Sequence, residues 1–373
     1  MALIGDLVAL QSGTTVIAGL DAVRARLIPE FEALDMTASI VSLAGNRKVL
    51  SFETAGHTPR IAFIGHLDTV FNDPSQAHDA VLSGEGPEQI LHGPGVIDMK
   101  GGIALLLQVL HDLSPEERSA VRVILNDDEE TGSNASKEAL RNLIYGMDAA
   151  LIFEPGLPDG GVVTAHSGVR WLGMKVNGKA AHAGLEPQNG LSACVELGHK
   201  LVALGQISDF ARQLTVNPGV INGGTAPNVV CAEASIKIDI RYVREADLTE
   251  ALDSIEAIRA KSYTRSETLG LETTAEVTQL AALPPMPFEA TTVVFQRAKK
   301  AAQSFNLDLA GWPVGYASDG NHLASLGVPL LVGLGPYGGK MHTDEEFMLV
   351  KSFEERRMVV GQLVRDLLDG DMQ

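Results

Sequence analysis

Five short stretches of this 373-residue chain hold imidazoles and carboxylates in an order that could do chemistry together. They are His66 in Gly65-His66-Leu67-Asp68-Thr69, Asp98 in the glycine-rich run from Gly93 to Gly102, Glu129-Glu130, Glu154 before Pro155, and His342 in Met341-His342-Thr343. Imidazoles and carboxylates without thiolates form the donor set of a hydrolytic zinc site rather than a structural one. Asp68 could accept the second ring N–H of His66, fixing its tautomer and raising its basicity. Neighbouring Glu129 and Glu130 could divide the work, one holding a metal and the other acting as base on metal-bound water, whose pKa a zinc ion brings to about 7.

Each stretch also has a plainer meaning. A histidine at a strand end is commonly a surface or capping residue, Glu154 alone would be a loop acid, and His342 would be a loop histidine after a flexible Gly338-Gly339 pair. The run Asp127-Asp128-Glu129-Glu130 would by itself be a solvated turn or a helix N-terminus. The segment Gly93–Gly102 superficially matches a phosphate-cradling loop, but Asp98 occupies the third glycine position of G-x-G-x-x-G and would repel a phosphate. Gly95, Gly101 and Gly102 are expected instead to leave room for cations to approach Asp98 from two sides. The set in order carries the signal.

These side chains need a scaffold. Residues 60–65, 121–125, 149–153 and 328–333 are short apolar runs of the kind that form central strands covered on both faces. Residues 16–34, 101–113 and 135–144 have helical patterns. The chain therefore reads as an α/β sandwich, which binds ligands in the crevice at the carboxyl ends of its strands. His66, the 127–130 cluster and Glu154 each fall just past such an end. Residues 167–177 and 233–242 alternate apolar with polar, and helix-like segments at 190–205 and 245–260 accompany them. This predicts a smaller α+β domain over 167–282, inserted between catalytic segments 1–166 and 283–373, with a junction at Leu283-Pro284-Pro285-Met286-Pro287.

A formal charge of −18 argues against a nucleic-acid or anionic-membrane partner. The cysteines, Cys194 and Cys231, suggest neither a disulfide framework nor a thiolate metal site, which suits a reducing cytoplasm. The Met-Ala-Leu-Ile-Gly-Asp start shows no basic leader, and no apolar stretch approaches the ~20 residues needed to span a bilayer. A soluble, cytoplasmic protein is expected.

The motif blocks resemble the dinuclear zinc metallohydrolase family of glutamate carboxypeptidase, acetylornithine deacetylase, succinyl-diaminopimelate desuccinylase and aminoacylase, with the glutamate carboxypeptidase branch nearest. The matching blocks are His-x-Asp (66–68), Gly-Pro-Gly-x-x-Asp-x-Lys-Gly-Gly (93–102), Asp-Glu-Glu-x-Gly-Ser (128–133), Glu-Pro (154–155), Gly-Lys-Ala-Ala-His-Ala-Gly (178–184) and Met-His-Thr (341–343). The resemblance implies two zinc ions, replaceable by cobalt or manganese: His66 and Glu154 on one, Glu130 and His342 on the other, Asp98 bridging. It implies Glu129 as general base acting on a metal-bridging hydroxide, Asp68 as the residue orienting His66, and the inserted domain as a dimerisation or lid domain. His182 would stabilise the oxyanion in the partner subunit's site of a homodimer, and Asn228 and Arg241 would bind substrate; by its strand position Arg241 is equally a surface charge. The chain departs from the pattern at Leu283, where many members carry Arg, and this puts a preference for C-terminal glutamate in question.

The implied activity is hydrolysis of an amide next to a free carboxylate, on a small peptide or an N-acyl amino acid. The alternatives are an N-acyl-amino-acid deacylase, a dipeptidase, and a non-catalytic metal-binding relative, the last opposed by the intact Glu129.

Overall fold

The computed structural model describes residues 1–370. The chain divides into two compact units: Met1–His166 with Met286–Val314 and the chain from Ser318, and Ser167–Pro285 with Gly315–Ala317. The boundary expected at 282 falls inside a strand, Thr274–Leu283. The division comes instead after the Pro284-Pro285 pair, where missing N–H groups end strand pairing.

The larger unit is built on an eight-stranded mixed sheet. From edge to edge its strands are Met36–Ser42, Lys48–Thr54, Val121–Asn126, Ile61–His66, Ala149–Ile152, Leu330–Val332, Val162–His166 and Gly311–Val314. Ile61–His66 runs parallel to both of its neighbours, with His66 opposite Asn126 and Ile64 opposite Ile152. That register brings three neighbouring strands out of the sheet within two residues of one another, and their next residues are Leu67, Asp127 and Phe153.

Ile61, Phe63, Val121, Val123, Leu125 and Leu151 join one apolar cluster with helices Ile17–Glu32, Gly101–Asp112 and Val350–Asp369. The alternate residues Ala62, Ile64, Ile124, Ala150 and Ile152 join a second with Leu140 and Ile144 of helix Lys137–Ile144. Burial on both faces is why these strands read as largely apolar runs rather than alternating ones. Each fully buried Ile, Leu or Phe contributes roughly 1.5–3 kcal/mol, so the strand ends beneath the site are well anchored.

A second, four-stranded sheet in this unit joins Gly338–Gly339, Phe347–Leu349, Ile90–His92 and Val81–Ser83. Its pairing of Phe347 with His92 places the His342 loop beside the segment leading into Gly93–Gly102. The expected flexibility of Gly338-Gly339 is corrected here. The pair is a strand, and a Cβ on Gly338 would meet the Phe347 carbonyl oxygen at 1.9 Å, so glycine permits the close pairing.

The inserted unit holds a four-stranded antiparallel sheet, Thr215–Gly223, Glu233–Tyr242, Gly168–Asn177 and Thr274–Leu283. Helices Ala193–Leu204 and Glu245–Ala260 cover one face, packing on Leu172, Met174, Val176, Ile236, Ile238 and Ile240. Cys194 and Cys231 form a disulfide, with Cα atoms 5.7 Å apart, which corrects the expectation that they define none. The Ala193 N–H donates to the Cys231 carbonyl and brings the helix start against that segment. The cysteines therefore no longer support a reducing compartment. Among the described residues, no helix is long and apolar enough to cross a membrane.

Candidate metal centre

His66 closes the strand Ile61–His66 and is 1% exposed. Asp98 lies in the turn Val96–Lys100, just before helix Gly101–Asp112. Gly95 enters that turn at φ +70°, a left-handed conformation that favours glycine. The expectation for Gly101 and Gly102 is corrected. Their missing side chains admit backbone rather than cations: a Cβ would meet the Val96 carbonyl oxygen at 2.5 Å in one case and the Phe153 carbonyl oxygen at 2.1 Å in the other. The close approach at Gly102 seats the helix start against the chain that carries Glu154.

The four consecutive acids divide their roles. Asp127 is fully buried and paired with Arg24. Asp128 Oδ2 accepts the Ala135 N–H at 2.8 Å, tightening the turn. Glu129 and Glu130 remain for the crevice. Asp68 lies beside His66 and also reaches the Glu129–Glu130 turn. The His66 Nδ1 lies 2.9 Å from the Asp68 backbone carbonyl oxygen and 3.4 Å from its carboxylate. That carboxylate accepts the backbone N–H groups of Glu129 and Glu130, each at 3.2 Å, and the Thr14 hydroxyl at 2.9 Å. One buried acid thereby sets the positions of three predicted site residues.

The side chains converge on Asp98 from two sides. Asp98 Oδ1 lies 3.1 Å from His66 Nε2, which lies 3.6 Å from Glu154 Oε1. Asp98 Oδ2 lies 3.1 Å from His342 Nε2, which lies 3.5 Å from Glu130 Oε2. Glu129 reaches the same cluster, offering an oxygen within 4.8 Å of donor atoms on His66 and Glu154. Donors at the corners of a tetrahedron with zinc bonds of about 2.0–2.1 Å stand about 3.3 Å apart, so in each set the distances from the imidazole to its two carboxylates have the right spacing. Glu130 Oε1 is buried without a hydrogen-bond partner, a state a cation would relieve. The residues fit a pair of divalent ions.

The protonation pattern without metal agrees. Like charges about 4 Å apart repel by about 4 kcal/mol at an effective dielectric of about 20, so clustered carboxylates take up protons. Burial, reinforced by the Asp98 charge, pushes Glu130 up to about 8. Burial and the Glu154 charge push Glu129 well above the carboxylate range. For Asp98, burial acts upward, but hydrogen bonds with His342 and His66 outweigh it and hold the group low. The bond to Asp98 raises His342 to about 9.

A pH dependence follows. A carboxyl whose folded pKa is about 8 rather than 4.5 contributes stability below 4.5 that is lost as pH rises through 8. An imidazole raised from 6.5 to about 9 contributes stability below 6.5 that is lost as pH rises through 9. Both act in the same sense. Chelator-stripped protein is expected to lose Tm as pH rises from about 6.5 to about 9, with a growing increment on adding zinc, because ligands must shed protons to bind. A stripped-protein Tm that rises across that range would contradict the cluster.

Several supporting groups escaped the sequence reading. Glu346 is 1% exposed and accepts backbone N–H groups from the Asp98 turn. Asp319, buried beneath the 127–133 turn, accepts from Asn126 Nδ2 at 2.9 Å and from Ser133 Oγ. The only available hint for Glu346 was an acid directly before the apolar Phe347-Met348-Leu349 run.

His182, Asn228 and Arg241 belong to the inserted unit. His182 is exposed, and its Nδ1 accepts the N–H groups of Gly184 at 3.2 Å and Leu185 at 3.1 Å. An Nδ1 acceptor in a neutral imidazole puts the proton on Nε2, which is then a donor. The Ala183 N–H donates to the Asn228 carbonyl at 3.0 Å, and His182 bridges Val229, so the structure brings His182 and Asn228 together. Arg241 is held apart from that pair's hydrogen bonds: its Nε contacts both Asp239 carboxylate oxygens, at 3.1 and 3.0 Å.

With this geometry in hand, comparison with known proteins is decisive at the family level. The model of peptidase family M20/M25/M40 matches residues 62–366. This chain belongs to that family. Carboxypeptidase G2 of Pseudomonas sp. (strain RS-16) is 26% identical over 375 residues, covering 97% of this chain and 87% of that protein. Acetylornithine deacetylase of Proteus mirabilis (strain HI4320) is 25% identical over 328 residues, covering 83% and 80%. Among solved structures, a tripeptidase from Staphylococcus aureus aligns with TM-score 0.79 at 21% identity, over 99% and 98% of the two chains. An M20 family metallo-carboxypeptidase from Sulfolobus solfataricus aligns with TM-score 0.76 at 15% identity, over 98% of each. The M20/M25/M40 chain described here is a metal-dependent hydrolase with an α/β catalytic unit and an inserted α+β unit.

Proposed function

We propose that this enzyme is a carboxypeptidase-like exopeptidase that hydrolyses an amide bond next to a free carboxylate. One observation carries the reading: the two oxygens of Asp98 face two separate imidazole–carboxylate pairs. His66 and Glu154 would hold one zinc ion and Glu130 and His342 the other, with Asp98 shared between them and cobalt or manganese able to substitute. Bound divalent ions supply Lewis acidity toward a carbonyl and lower the pKa of water.

The chain's own groups do the rest. Glu129 takes the proton of the attacking water and delivers it to the leaving amine. Asp68 holds the Glu129 and Glu130 backbone in register through the bonds described above. The Nε2–H of His182 donates to the developing oxyanion in the partner copy's centre. Asn228 and the Arg241 guanidinium, oriented by Asp239, engage the substrate carboxylate. A homodimer assembled through the inserted unit is part of this proposal. Its edge strand Thr215–Gly223 leaves Val220 and Ile221 about half exposed, which an unpartnered edge rarely tolerates.

A deacylase of N-acyl amino acids, or a dipeptidase, is the second reading, favoured by the similarity to acetylornithine deacetylase. A panel on zinc-loaded enzyme separates them: benzoyl- and folyl-glutamate, other N-acyl amino acids, acetylornithine and dipeptides, each beside its carboxylate-blocked amide. Turnover is expected only where the carboxylate is free. Equal turnover of blocked and free substrates would overturn the assignment.

A further inference from the structure

We propose that Glu346 is the positioning residue that sets the carboxylate of Asp98 against His342. Its Oε1 accepts the N–H of Ile97 at 2.9 Å and of Asp98 at 3.2 Å, and its Oε2 accepts the N–H of Gly95 at 3.2 Å. Gly95 at φ +70° turns these N–H groups toward one point, forming an anion-binding concavity made of main chain. The occupant of that concavity is a side chain of the protein itself, 1% exposed.

The attachment is doubled. The Gly93 N–H donates to the Glu346 carbonyl oxygen at 3.2 Å, while the Glu346 N–H donates to the Thr343 carbonyl oxygen at 3.1 Å. One residue therefore grips the Asp98 turn with its carboxylate and backbone, and closes the turn that directly follows His342. Asp98 Oδ2 and His342 Nε2 are 3.1 Å apart. Because the two sit on loops far apart in the chain, a link of this kind must bring them to ligand spacing.

The inference rests on the metal reading above, and a cobalt titration tests the two separately. Cobalt(II) is added to stripped wild-type protein, Glu346→Gln and the neighbouring control Glu345→Gln, following stoichiometry, affinity and the visible ligand-field bands. A glutamine presents one oxygen and one donor group, so it cannot accept all three N–H bonds. Groups that orient metal ligands typically govern about 10- to 100-fold of metal affinity. Glu346→Gln is expected to weaken uptake of one ion by that factor and to alter its bands. Glu345, exposed and paired with Lys340 at 2.7 Å, is expected to behave as wild type when replaced. Glu346→Asp retains the charge at shorter reach and is expected to recover part of the loss, and it serves if Glu346→Gln fails to fold. Wild-type affinity and bands in Glu346→Gln, or in Glu346→Asp where that variant stands in, overturn the inference. Absence of cobalt uptake by the wild type overturns the metal reading along with it.

Discussion

Glu129→Gln is expected to keep both metal ions and lose about 10²- to 10⁴-fold in kcat, the contribution typical of a positioned general base. That loss corresponds to about 2.7–5.5 kcal/mol of barrier. The substitution is conservative in shape, and the backbone at this position is held independently by Asp68 Oδ1 at 3.2 Å. The loop should stay where it is while its proton acceptor disappears. Metal analysis alongside steady-state kinetics decides the matter. Near wild-type turnover would remove Glu129 from the base role.

Asp98→Ala is expected to act in the opposite order, costing metal first and turnover as a consequence. Its oxygens face His66 on one side and His342 on the other, each at 3.1 Å, so its removal takes one donor from each set. Zinc content is expected to fall well below two per chain after gel filtration, and activity to stay low with modest added metal. Full stoichiometry in this variant would show that Asp98 is not shared. The two variants together separate a residue that holds the ions from one that moves a proton.

How much of this was readable in advance depends on how each residue is held. Strands Ile61–His66, Val121–Asn126 and Ala149–Ile152 announce themselves because both faces are buried, leaving runs that are apolar at nearly every position. Met36–Ser42 is exposed at most of its positions, and Gly338–Gly339 is too short for any periodicity, so neither stood out. The convergence of His66, Asp98, Glu130, Glu154 and His342 was legible because imidazoles and carboxylates are the types that a metal reading looks for. Of the supports, Asp68 was read only as the partner of His66, and Glu346 was not read at all. Asp68 and Glu346 act largely by accepting backbone N–H groups, and a backbone donor leaves no mark on the identity of the residue that supplies it. The disulfide was hidden because its cysteines stand 37 positions apart in the sequence and only the folded chain brings their Cα atoms to 5.7 Å.

The 244-position separation of Asp98 and His342 in the sequence has a bearing on how the molecule matures. A ribosome delivers His66, Asp98, Glu130 and Glu154 long before His342 leaves the exit tunnel. Until the C-terminal hairpin pairs with Ile90–His92, the nascent acids have no second half to their cage. On the proposed ligand set, a prematurely terminated product that lacks the hairpin would lack His342, and zinc analysis of such a product is expected to fall short of the full-length chain.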